Sequence, residues 1–246
     1  MFFLGASLGS FLNATAYRVD NKKEYKNDFR IMAERNSHCE YCKKELTWLE
    51  LVPVLGYLIV GGRCSKCKKR ISIYYPISEF LLGIATLLFY IHNISFHLYI
   101  VLLFLFVLSY YDNLYKAIPK DMVHIFLSVC FVLFLFFNLN LLSFVVTVVL
   151  VLFLFVLSSL MKKSFGVGDM LLLVGLGLVM EYRSFLVMFW FGILLALFCS
   201  ICYSILRKKN LKGMKIPMVP FFAISFVVGA LYGIYLYDLL FDLVSI

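Results

Sequence analysis

Acidic residues are scarce in this 246-residue chain: 14 aspartates and glutamates stand against 23 lysines and arginines, and charged residues make up only 15% of the total. The four histidines (His38, His92, His97 and His124) fall in no H-E-x-x-H pattern, which argues against zinc metallopeptidase chemistry. No serine falls into an evident triad. A G-x-G-x-x-G loop is absent, so no dinucleotide or comparable cofactor cradle is visible. Ten-residue segments of alternating polarity are missing, which excludes a transmembrane β-barrel. The first residues lack a basic region and a small-residue cleavage site, so no cleavable signal peptide is expected. MFFLGASLGSFLNATAY reads instead as a short first span.

What the chain does have is apolar sequence, 63% of its residues. Soluble domains sit nearer 45–50%, and runs of about 20 apolar residues cross a bilayer. Beyond the N-terminal segment, such runs fall at roughly 77–92, 96–111, 121–139, 140–161, 169–181, 184–206 and 218–241. Backbone groups in lipid must be satisfied internally, so the spans are helical. The expected fold is an all-α polytopic membrane protein of about eight transmembrane helices. Its expected divisions are a first helix (1–17), a charged loop domain (18–76) and a seven-helix membrane domain (77–246). Small-residue spacings, Gly5-x3-Gly9 and Gly229-x3-Gly233, suit close helix packing within the chain. The oligomeric state is left open.

Lysine and arginine set the orientation. With eight spans, 22 of the 23 fall on one side and only Arg183 on the other. That side is expected to be cytoplasmic, with both termini outside. The net charge of +9 is then a signature of topology in the lipid bilayer, and no nucleic-acid partner is implied.

Cys130, Cys199 and Cys202 lie within spans and read as packing residues. The other four, Cys39, Cys42, Cys64 and Cys67, form two C-x2-C knuckles, CEYC and CSKC, in the charged loop. Two knuckles can gather four thiolates around zinc, and two disulfides are the alternative. A cytoplasmic loop is kept reduced, which favours the metal. Four thiolates leave no open position, so the zinc is expected to be structural and to hold a loop with little core of its own.

Seven of the acids, Glu50 among them, lie in the loop and read as solvated surface. Four stand at the cytoplasmic ends of spans: Glu79, Asp112, Asp121 and Asp169. Asp112 ends the third span in YYDNLYKAIPKD, and Asp169 opens the short sixth in GVGD. Each of Asp121 and Asp169 could simply cap a helix. Two acids at one depth can instead share a proton, giving a base to activate water and an acid for a leaving amine. Gly166 and Gly168 are expected to support that loop by taking positive φ and baring peptide groups to a substrate strand. Two other classes stay in view. In a transporter the acids line a cation path; in an adaptor the zinc loop binds a cytoplasmic partner and does no chemistry.

These residues resemble the type IV prepilin peptidases, bacterial members of the GxGD aspartyl intramembrane proteases. GSFLNATAYR (9–18) resembles the family's N-terminal signature, and residues 37–79 its zinc-knuckle loop, including Trp48, Pro53, Gly62-Arg63-Cys64 and Tyr75-Pro76-x2-Glu79. YYDNLYKAIPKD resembles the first aspartate motif, GVGD the second, and KIPMVPFF (215–222) the proline segment before the last span. Leu114, Lys120 and Leu171 depart from the usual pattern without touching either aspartate. The resemblance implies an aspartic endopeptidase with Asp112 and Asp169 catalytic. It implies removal of leaders from type IV prepilins or pseudopilins at the cytoplasmic face of the bacterial inner membrane. Many members then methylate the new N-terminus with S-adenosylmethionine, a step carried here by the resemblance alone and assigned to no residue. Abundant lysine, phenylalanine and isoleucine hint at an AT-rich genome, and so at competence pseudopilins or type IV pilins as substrates.

Overall fold

The computed structural model describes residues 1–20, 37–137, 141–160, 166–207 and 216–244. Among these the chain is helical, and its extended pairings are two isolated antiparallel bridges, His38 with Glu45 and Arg63 with Arg70. Two compact units divide it, residues 1–93 and 94–246.

The first unit is built on two helices side by side, α1 (Phe2–Asp20) and α3 (Tyr74–Ile91). Small residues bring them close. A Cβ on Gly5 would collide with Thr86, and one on Gly83 would lie 2.7 Å from the Phe2 ring. A buried polar pair, Asn13 Nδ2 to Ser78 Oγ at 2.9 Å, fixes their register. Between the helices in sequence come the two knuckles and a one-turn helix, α2 (Leu55–Ile59). The string Gly5-Ala6-Ser7-Leu8-Gly9 has G-x-S-x-G spacing but lies inside α1, not at the strand-to-helix turn that makes such a serine a nucleophile.

The second unit comprises α4 (Phe96–Tyr115), α5 (Lys120–Phe137), α6 (Leu141–Leu160), α7 (Val167–Val179), α8 (Tyr182–Arg207) and α9 (Val219–Val244). Helix α9 packs along α8 and α4, while α7 packs on α5 and α6. Gly229 and Gly233 both face Ser184 of α8, so this small-residue stripe works within the chain. Phe126, Phe185, Phe222 and Phe226 are fully enclosed in the core, while the outward side chains of α6 are apolar too, including Val149, Leu152, Phe153 and Val156. Apolar residues on both inner and outer faces are what a helix bundle in lipid requires.

Each of the eight expected segments is a helix. Six helices, α3, α4, α5, α6, α8 and α9, are long and apolar enough to cross, and the chain is a multi-pass membrane protein. Helix α7 has 13 residues, about 20 Å at 1.5 Å per residue, against a hydrocarbon core of about 30 Å. Its neighbours enclose it: Leu172, Leu173 and Leu176 are fully buried. Helix α1 has 19 residues, but Ser7, Ser10, Asn13, Thr15 and Arg18 dilute its apolar character. Helix α4 also runs four residues past its expected end, so Asp112 lies inside the last turn.

Candidate metal centre and aspartate pair

The two knuckles are the same structure made twice. HCEYCKKE (38–45) and RCSKCKKR (63–70) share C-x2-C-K-K. In the first, Cys39 N–H donates to Lys44 O and Lys43 N–H to Cys39 O, at 2.9 and 3.0 Å; in the second, Cys64 N–H donates to Lys69 O and Lys68 N–H to Cys64 O at the same two distances. Lys43 and Lys68, each directly after its second cysteine, adopt left-handed φ of 55° and 59°. That conformation is strained for a side chain with a Cβ and persists where surrounding contacts impose it.

The knuckles meet so that all four Sγ atoms lie within 4.8 Å of one another. Cys39 to Cys67 and Cys42 to Cys64 are each 3.8 Å apart. A disulfide needs about 2.05 Å, and all four are free thiols. A tetrahedral ion with thiolate bonds of about 2.3 Å separates its sulfurs by about 3.8 Å. The donor set and spacing therefore fit one metal ion. Backbone N–H groups of Cys67 and Lys66 point at Cys64 Sγ and bring that thiol down to about 6, whereas Cys67, despite the amide of Lys69, is pushed up to about 11 by burial and the neighbouring thiols.

Glu50 joins the knuckles, a role missed when it was read as solvated surface. Its carboxylate accepts from Lys44 Nζ at 3.1 Å on both oxygens, from Thr47 N–H at 2.8 Å and from Ser65 Oγ at 2.6 Å. The Ser65 hydroxyl, then the Thr47 amide, hold its carboxyl down at about 2. The Thr-x-x-Glu spacing of TWLE was the available signal, since it lets the acid bond back to the threonine amide. Glu79 is buried, and its Oε2 accepts the N–H of Val54 at 2.8 Å. Val54 has a left-handed φ of 65°.

In the second unit, Asp112 is 4% exposed in the last turn of α4. Its Oδ2 accepts the N–H of Val219 at 2.9 Å, and the N–H of Met218 also points to the carboxylate. A helix leaves its first N–H groups without internal partners, so the acid of α4 closes the start of α9 and suits the positive end of its dipole. The PMVP part of the proline segment thus supplies donors to an acid 107 residues earlier. Nothing local in the sequence signals that contact.

Asp169 is half-buried in the first turn of α7 and is not the N-cap. Gly166 is the N-cap, and its N–H donates to the Asp169 carboxylate. The two aspartates are brought together, close enough for the charge of Asp112 to act on Asp169. Asp121 stays apart as an exposed residue in the first turn of α5. The expectation for the glycines needs correction. Gly166 has φ −71°, Gly168 is helical, and the left-handed glycines among the described residues are Gly61 and Gly62. What Gly166 supplies is space: a Cβ there would stand 2.9 Å from Asp169 Oδ2.

Residues 3–93, nearly the whole first unit, match the bacterial peptidase A24 N-terminal domain. Over 239 residues the chain is 26% identical to the prepilin leader peptidase/N-methyltransferase of Bacillus subtilis (strain 168), covering 95% of this chain and 93% of the relative. Proteins of the same name from Vibrio cholerae (40% over 73 residues) and Myxococcus xanthus (38% over 84 residues) match 29% and 34% of this chain. Those alignments span 29% and 23% of the two relatives' own lengths. No solved structure matches. The chain is thus a helical multi-pass membrane protein carrying a four-cysteine N-terminal unit. Its first unit matches the bacterial peptidase A24 N-terminal domain, and nearly its whole length is similar to a prepilin leader peptidase/N-methyltransferase.

Proposed function

We propose that this protein is an aspartic endopeptidase that removes the leader of type IV prepilins or pseudopilins. The observation that carries the reading is the pairing of Asp112, buried and held by backbone amides, with Asp169. Two carboxyls this close do not both ionise easily, so one keeps its proton. The ionised partner takes a proton from water as the oxygen attacks the scissile carbonyl; the protonated partner gives its proton to the departing amine. Amides of Met218 and Val219 hold the Asp112 carboxylate in one orientation through the cycle.

Chemistry of this kind needs both acids at the surface where a leader meets its apolar stem. The charge partition supports a cytoplasmic placement of that surface in the bacterial inner membrane. In the first unit, the metal proposed for Cys39, Cys42, Cys64 and Cys67 is zinc, in a closed structural site. N-methylation of the new terminus, with S-adenosylmethionine as methyl donor, is proposed from the relatives' names. No residue is assigned to that step.

The test is leader cleavage in membranes carrying a co-expressed prepilin, read by mass spectrometry, which reports cleavage and methylation together. Asp112→Asn and Asp169→Asn should each insert in the membrane and fail to cut. Near-native cutting by Asp169→Asn would leave that acid as a helix-end residue only.

A further inference from the structure

The first unit has an apolar face that neither the metal centre nor the aspartates use. Helix α2 presents Leu55, Leu58 and Ile59 at positions i, i+3 and i+4, one side of a helix. They are 45%, 66% and 60% exposed, and Trp48 is 75% exposed. Gly56 explains why this side turns outward. A Cβ there would collide with the backbone of Glu50, so α2 lies with its glycine against the 47–51 turn.

The depth of this face is set by one hydrogen bond. Val54, the residue before α2, donates its N–H to Glu79 Oε2 at 2.8 Å. Glu79 lies five residues into α3, about 7.5 Å along a helix that is long and apolar enough to cross a membrane. The start of α2 is therefore tied to the level at which α3 enters lipid. Basic residues follow at once: Arg63, Lys66, Lys68 and Arg70 are all exposed in the second knuckle. A tryptophan and aliphatic side chains beside lysine and arginine are the composition of a segment lying in the membrane interface, where basic groups meet anionic headgroups.

We infer that Trp48 and the Leu55/Leu58/Ile59 face are buried in the headgroup–acyl boundary of the leaflet that α3 enters, so that the metal-binding unit lies on the lipid surface. The inference rests on the membrane reading of α3 and is independent of the peptidase reading. The chain has two tryptophans, and Trp190→Phe leaves Trp48 as sole reporter in the full-length, metal-loaded protein. It is reconstituted in vesicles of phosphatidylcholine and phosphatidylglycerol, with or without bromine on the upper acyl carbons. At an insertion depth of about 5–10 Å, brominated lipid should reduce Trp48 emission roughly twofold, and aqueous iodide should have little effect. Quenching by iodide alone would put Trp48 in water and overturn the inference. Quenching by neither would mean that protein covers the face and would also overturn it. Leu58→Ser with Ile59→Ser, at unchanged metal content, should reduce the bromolipid effect; an undiminished effect would show that α2 is not the inserted element.

Discussion

The two candidate sites are built in opposite ways. The metal centre draws its four cysteines from two copies of one short motif within 29 residues, Cys39 to Cys67, stitched by local backbone bonds and by Glu50. The aspartate pair joins residues 57 apart in sequence, and Asp112 takes its orienting amide from a third element. A small loop with little core of its own needs a local staple. A bundle of apolar helices can place two acids anywhere its packing dictates, but must surround them with backbone donors because few polar side chains are at hand.

If that contrast is right, damage to the two sites should separate. The largest effect should come from Asp112→Asn, which keeps its size but cannot exchange the proton. Leader cleavage should fall by about 10²–10⁴-fold, the range for loss of a general acid or base, with membrane insertion and metal content unchanged. Loss of metal alongside loss of cleavage would break the comparison.

Next comes the metal. Cys39→Ser and Cys64→Ser should each lower the metal content of purified protein from one ion per chain toward none. Yield should drop, because binding and folding of such a site are coupled. Unchanged metal in both variants would remove the centre from the account.

A smaller effect is expected from Gly166→Ala. Its Cβ would crowd Asp169 Oδ2 at 2.9 Å, and a displaced catalytic group can cost up to about 10²-fold. Cleavage should fall while the helical circular-dichroism signal stays constant.

The smallest concerns Glu50. Its folded carboxyl sits at about 2, below the ordinary 4.5. A lowered acid adds stability that is fully present above the unfolded value and is lost as pH falls through the folded one. Between about pH 4.5 and 2 the parent should therefore lose stability more steeply than Glu50→Gln. Thermal unfolding with and without chelator would separate this from metal release by protonated thiols. Equal slopes would deny Glu50 its bridging role.

How much of this was legible follows from the same contrast. The knuckles were readable because C-x2-C repeats are local and their chemistry is specific. Glu50 was not recognised, because its partners Lys44 and Ser65 lie in different knuckles and charge alone looked like surface. Asp112 and Asp169 were readable as acids out of place in apolar sequence, but the amide of Val219 was not, since no local pattern reports a contact across 107 residues. Helix α7 was readable as a short apolar helix, but its enclosure by α5 and α6 was not, since an apolar run alone does not say what it packs against. The glycines of GVGD suggested unusual backbone, whereas the structure uses the absence of a side chain at Gly166.

The central claim is that Asp112 and Asp169 act as one catalytic unit. The most direct measurement is a double-mutant comparison of leader cleavage by Asp112→Asn, Asp169→Asn and the variant carrying both. Groups that act together are non-additive, so the double variant should be no slower than either single one, with all three at the same residual rate. Losses that multiply in the double variant, or near-native cleavage by either single variant, would contradict the account.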